Sequence, residues 1–125
     1  MFYEISKELE IGVCAAAEKI VRDGTRSKRD LSCNVSLVKS ANALLTGAMI
    51  YVLECRGSRF DDFFGEVLFI LSMKPESMKE TLNVSLPSRA KCRRYFERYF
   101  LEGEEGKEKI RTALYSDITA LQERL

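Results

Sequence analysis

The sequence contains no histidine and no tryptophan, and it has only two prolines in 125 residues. The absence of histidine removes the commonest general base, the commonest metal ligand and the usual pH switch near neutrality. Four cysteines stand at positions 14, 33, 55 and 92, and no pair has CxxC spacing, so a structural zinc site has little support. We therefore expect a protein that is not an enzyme and needs no cofactor. Such cysteines favour a reducing, intracellular and cytoplasmic setting.

Neither sign of charge is in excess, because 20 basic and 19 acidic residues leave a formal net charge of +1. No global field would steer a polyanion, so any nucleic-acid site must rest on a local patch. No apolar run reaches the roughly 20 residues that a membrane-spanning helix needs, and we expect no membrane span. The length predicts a single domain over residues 1–125.

Apolar residues recur every three or four positions between glycine and proline breaks, which predicts an all-α protein. The segment from Thr25 to Asn34 is expected to be an exposed loop holding at most a turn of helix. A bend is expected near Gly47, since glycine weakens a helix interior. The predicted helices run from Tyr3 to Arg22, Leu37 to Leu53, Arg59 to Met73, Pro75 to Leu82, Pro87 to Gly103, and Glu105 to Glu123.

The helix predicted at 59–73 is apolar on more than one side, because Phe69 and Ile70 lie outside its main apolar face. A helix with one side in water would not need these two residues. Ser58 and Asp61 have the spacing of a capping box at its start. We therefore predict a bundle of about five to seven helices around this central hydrophobic helix.

Two further patterns leave more than one interpretation open. Basic and aromatic residues alternate between positions 89 and 98, which fits a solvated helix face or a small helical nucleic-acid-associated (RNP) subunit. The apolar face of residues 37–53 is broader than one neighbouring helix is expected to cover. It fits ordinary core, a surface that binds a partner's amphipathic helix, or the interface of a homodimer.

The stretch MIYVLECRGSRFDDFFGEVLFILSM, residues 49–73, resembles a segment of the Bcl-2-like apoptosis regulators. That family has a helix ending in an MIHVF-type sequence, a corner close to DGVNWGR, and a buried helix of the IVAFFSFGG type. The opening SKELEIGVCAAAEKIVRDG is similar in spacing to that family's SNRELVVDFLSYKLSQKG. This chain lacks the Asn-Trp pair and places Ser58 between Gly57 and Arg59, and it resembles compact viral members that lose such motifs.

The resemblance implies an anti-apoptotic protein that sequesters the BH3-type helix of a pro-apoptotic partner in an apolar groove. Arg59 would pair with an aspartate of that helix, and Gly57 would let its backbone approach closely. Any recruitment to mitochondria would come through partners. The implied groove is formed by residues before, within and just after the corner: Leu37, Ala41, Leu44, Leu45, Ala48, Met49, Val52, Leu53, Gly57, Arg59, Phe60 and Phe63.

Overall fold

The computed structural model describes residues 2–31, 34–57 and 62–124. These residues form seven helices and no strand, so the predicted all-α class is confirmed for the described part of the chain. The helices are α1 (Lys7–Asp23), α2 (Thr25–Leu31), α3 (Val35–Arg56), α4 (Phe63–Leu71), α5 (Pro75–Ser85), α6 (Cys92–Phe100) and α7 (Glu104–Arg124).

The middle of the bundle is held by α3, which contacts α1, α2, α4, α6 and α7. Leu44, Leu45 and Ile50 on this helix have no exposed surface. A helical bundle with a central hydrophobic helix is confirmed, and the helix at its centre is α3, whereas the sequence pattern predicted the helix at 59–73 there. Residues from α1, α4, α6 and α7 complete the same core, among them Ala17, Val67, Tyr99 and Leu114.

The helix α4 differs in two ways from the prediction. It begins at Phe63 because Asp62 is its N-cap, with a carboxylate that accepts a hydrogen bond from the Gly65 N–H at 3.0 Å. The capping box predicted for Ser58 and Asp61 lies outside the described residues. Val67 and Ile70 are buried, but Phe69 is 65% exposed. The expectation that this helix is covered on all sides is therefore wrong at Phe69.

The helices α1 and α3 also begin where capping side chains place them. Ser6 accepts a hydrogen bond from the Leu9 N–H at 3.1 Å, so α1 starts at Lys7 and not at Tyr3. Asn34 accepts from the Leu37 N–H at 3.2 Å, which starts α3 two residues earlier than predicted. The predicted loop from Thr25 contains a two-turn helix, α2, because Leu31 is buried against the bundle.

The bend predicted at Gly47 is absent, since α3 is one helix through that position. A Cβ atom at Gly47 would lie 3.1 Å from Cδ2 of Phe96 and 3.1 Å from Cβ of Tyr95. Glycine at this position therefore allows α6 to pack closely against α3. The breaking tendency of glycine is overridden by tertiary packing.

Among the described residues, α3 alone is long and apolar enough to cross a membrane by length and composition, with a mean hydropathy of 1.4. This composition does not test the expectation of no membrane span, which stays a prediction. In the bundle, 56% of that apolar window is buried, and the core helix of a soluble protein has the same composition. Its apolar character is explained here by its central position.

Candidate partner-binding cleft

A cleft of about 560 Å³ opens between the last turns of α3 and the length of α4. We call it the α3–α4 cleft. Both helices and the end of α5 contribute to its wall. Its lining residues are Tyr51, Val52, Cys55, Arg56, Gly65, Glu66, Phe69, Ile70 and Ser85.

The end of α3 and the start of α4 are each fixed by local contacts on either side of this cleft. Gly57 ends α3 with a φ of 64°, and its N–H donates to the Leu53 carbonyl at 2.7 Å. This left-handed conformation suits glycine because it has no Cβ atom. Asp62 then starts α4, and its carboxylate also accepts from the Gln122 amide of α7 at 3.0 Å. The start of α4 is thus fixed on α7, while α4 itself packs beside the end of α3.

The lining of the cleft combines an apolar floor with one ion pair. Val52 and Ile70 are almost fully buried, whereas the Phe69 ring stands exposed at the rim. Across the cleft wall, Arg56 Nε lies 2.9 Å from Glu66 Oε1. An apolar side chain of a partner can therefore pack on the floor of the cleft. A charged side chain of the same partner can pair with the Arg56 guanidinium or the Glu66 carboxylate.

Two lining side chains of this cleft are held neutral. Burial raises the pKa of the Tyr51 phenol and of the Cys55 thiol above their ordinary values. A thiol whose pKa is raised contains little thiolate at neutral pH, and thiolate is the nucleophile. Cys55 is therefore a poor candidate for covalent chemistry, and the cleft is better suited to binding.

Most of the groove residues implied by the resemblance face the protein's own core. Leu37, Leu53, Gly57 and Phe63 are half-buried. Arg59 and Phe60 lie outside the described residues. The remaining six are buried: Ala41, Leu44, Leu45, Ala48, Met49 and Val52. Five of these six, Ala41, Leu44, Leu45, Ala48 and Met49, cannot face a partner in this conformation, because other helices of the bundle cover them. Val52 alone of the twelve also lines the α3–α4 cleft.

The space beside Gly57 is filled by the chain itself. A Cβ atom at Gly57 would lie 3.0 Å from Cδ1 of Tyr3, and the Tyr3 N–H donates to the Glu54 carbonyl at 2.8 Å. The extended residues 2–6 thus cross the end of α3. The glycine serves the turn and the contact with Tyr3, and a partner backbone could reach it only if this segment moved away.

The basic segment of the alternative interpretation is largely engaged in intramolecular contacts. Arg93 donates to the carbonyls of Leu82 (2.9 Å) and Pro87 (2.8 Å), so it closes the end of α5. Arg94 pairs with the buried Glu10. Tyr99 is buried and so offers no stacking face to a base. A wide depression of about 610 Å³ remains beside Lys79, Arg94 and Arg98, but Glu97 also lines it.

Sequence reasoning missed most of the α3–α4 cleft, including Tyr51, Arg56, Glu66 and Phe69. The one available signal was Phe69, which lies outside the main apolar face of its helix. That position was interpreted as buried, and the structure places it at the rim of the cleft. Arg56 and Glu66 are ten positions apart on different helices, so no helical spacing relates them.

Within the described ranges, no group of three or more histidine, cysteine, aspartate or glutamate side chains is placed to hold a metal ion. No family model matches this chain, and neither a curated protein nor a solved structure matches it.

Proposed function

We propose that this protein is a non-enzymatic binding protein that holds an amphipathic helix of a partner in the α3–α4 cleft. We further propose that it acts as a Bcl-2-like inhibitor of apoptosis and that the bound helix belongs to a pro-apoptotic protein. The observation that carries the proposal is the cleft itself, which has an apolar floor, an exposed aromatic rim and one ion pair.

The position of the cleft supports the link to the resemblance. The family-like stretch contains an apolar helix end, a corner and a second apolar helix, in that order. In this protein the cleft lies between α3 and α4, which are those two helices. The family's groove is implied at the same junction, although the side chains that line the cleft here are mostly different ones.

The exposed Phe69 ring also favours a protein ligand. Exposed large apolar residues beside a concave surface are typical of interaction sites, and aromatic residues often carry much of the binding free energy. A helix that places an apolar side chain on Val52 and Ile70 would cover Phe69 as well. Arg56, whose side chain is 59% exposed, can receive a carboxylate from the same helix.

The proposal is tested by titrating BH3-type peptides into the protein in a calorimeter. We expect binding at micromolar affinity or tighter. Phe69→Ala should weaken it by about 1–2 kcal/mol, because an aromatic contact at the rim is lost. Thermal unfolding should change little, since the ring is 65% exposed in the free protein.

Leu101→Ala is the matched control. Leu101 is a large apolar residue that is 82% exposed and lies away from the cleft. This variant should bind the peptides as the unchanged protein does. Flat titrations across a whole peptide panel, or equal weakening by Phe69→Ala and Leu101→Ala, would contradict the proposal. Sedimentation of the free protein shows whether a dimer exists, the alternative in which this apolar surface meets a second copy of the chain.

A further inference from the structure

Glu66 has a carboxylate oxygen without a partner. Its Oε1 pairs with Arg56, but Oε2 is shielded from solvent and accepts no hydrogen bond from any described residue. A shielded carboxylate oxygen normally has a donor, because leaving it without one costs free energy. Glu66 lines the α3–α4 cleft, so rotation of its side chain toward the cleft would bring this oxygen within reach of a donor from an occupant.

The ion pair is arranged asymmetrically across the wall of the cleft. The Arg56 side chain is 59% exposed, whereas that of Glu66 is 31% exposed. Arg56 thus lies closer to the solvent and Glu66 lies deeper in the cleft. An occupant therefore meets a positive group near the mouth and a negative group closer to the apolar floor formed by Ile70.

We propose that the α3–α4 cleft selects a partner helix that carries one acidic and one basic residue about one turn apart beside its apolar anchor. This inference rests on the proposed function and names the chemistry of its partner. The partner's lysine or arginine would donate to Glu66 Oε2 once this side chain rotates toward the cleft. The partner's carboxylate would pair with Arg56 near the mouth.

The two new ion pairs, one with Arg56 and one with Glu66, explain why the partner should carry both charges. A helix with only an acid would compete with Glu66 for Arg56 and would leave Glu66 further unpaired. A helix with both charges converts one internal ion pair into a network of four groups, in which each carboxylate has a donor. Like charges placed opposite each other would reject purely acidic partners, so Glu66 contributes to selectivity.

The test uses two synthetic amphipathic peptides of about 20 residues, long enough to form a helix. Both carry the same apolar positions and one aspartate. The first has a lysine four residues from the aspartate, and the second has glutamine there. Each is titrated against the unchanged protein and against Glu66→Gln. We expect the glutamine peptide to bind the unchanged protein about ten-fold more weakly, and to bind Glu66→Gln almost as well as the lysine peptide does.

The exchanged variant Arg56→Glu with Glu66→Arg controls for the ion pair itself. It should favour a third peptide in which aspartate and lysine are swapped. Equal binding of the first two peptides to the unchanged protein would overturn the inference and leave the proposed function standing. A preference for the lysine peptide that persists in Glu66→Gln would likewise overturn the inference and leave the proposed function standing. If no peptide binds the unchanged protein, the proposed function and this inference fail together.

Discussion

At the scale of single residues, Asp117 on α7 shows how a polar side chain joins two helices. Its carboxylate accepts hydrogen bonds from the Ser27 hydroxyl and from the Arg26 N–H, at 3.2 Å for the latter. Both donors belong to the first turn of α2, whose N–H groups have no partner within the helix. Asp117 therefore fixes α2 on α7. Gly24, just before α2, leaves the space that the carboxylate occupies.

Gly24→Ala tests this arrangement. A Cβ atom at Gly24 would overlap the Asp117 carboxylate, which cannot move without losing its bonds to α2. We expect the free energy of unfolding to fall by about 1–3 kcal/mol in urea denaturation. Gly12→Ala is the matched control, because nothing lies within 4 Å of a Cβ there. On the exposed face of α1, alanine should instead stabilise by about 0.5–1 kcal/mol. Equal effects of the two variants would contradict this account.

The pH dependence of stability provides a second test at this site. Burial raises the pKa of the Asp117 carboxyl above its ordinary value, and the hydrogen bonds from Ser27 and Arg26 partly offset the rise. An acid whose pKa is raised on folding favours the folded state when protonated. The contribution of this carboxyl to the free energy of unfolding is therefore complete below its ordinary pKa. It is lost as the pH rises through its pKa in the folded protein.

Asp117→Asn removes this titration. The unchanged protein's advantage over the variant should therefore be largest in acid and should shrink as the pH rises toward neutrality. Denaturation of both proteins across that range measures the difference, and Asp23→Asn, at an exposed position, is the control. An advantage that grows with pH would show that the hydrogen bonds outweigh burial.

At the scale of helices, α6 is attached to α3 through Glu54. This carboxylate has no exposed surface and accepts from the N–H groups of Lys91 (2.7 Å) and Cys92 (3.2 Å). No side chain of α6 itself caps that end. Glu54 of α3 thus caps the N-terminus of α6, a role that a local serine or aspartate usually has.

Glu54→Ala should lower the free energy of unfolding by about 2–4 kcal/mol, because the buried N–H of Cys92 and the partly buried N–H of Lys91 lose their acceptor. Glu54→Gln keeps the shape of the side chain but only one of its two acceptor oxygens, and its NH2 group would oppose the second N–H, so we expect a smaller loss than in Glu54→Ala but not full stability. Urea denaturation compares the two, and hydrogen exchange at Cys92 reports the local effect. Unchanged stability in Glu54→Ala would contradict the role given to this carboxylate.

Some features of the helices can be predicted from the sequence better than others. The positions of α5 and α7 follow from apolar periodicity, whereas α3 is apolar over most of its length and is buried on several sides between residues 44 and 50. The helix starts were less predictable, because Ser36 and Asn34 are both acceptable caps and only packing decides between them. The packing of α6 on Gly47 and the capping by Glu54 join residues far apart in sequence, so no local pattern reveals them.

At the scale of the whole molecule, the core was largely predictable and the cleft was not. The apolar face of residues 37–53 was identified, and its buried members Leu44, Leu45 and Ala48 form the centre of the bundle. Which apolar residues stay exposed depends on where α4 and α5 end relative to α3. These relative positions are set only when the helices assemble. For this reason Phe69, which the sequence pattern predicts to be in the core, lies exposed at the rim of the cleft.

The central claim is that a partner helix binds between α3 and α4, and mapping backbone amide chemical shifts during titration with a BH3-type peptide tests it most directly. The account predicts that the largest changes fall on Cys55, Arg56, Glu66 and Phe69, with little change around Leu101, which follows the end of α6. Changes centred on the basic segment 89–98, or no changes at any peptide concentration, would contradict it.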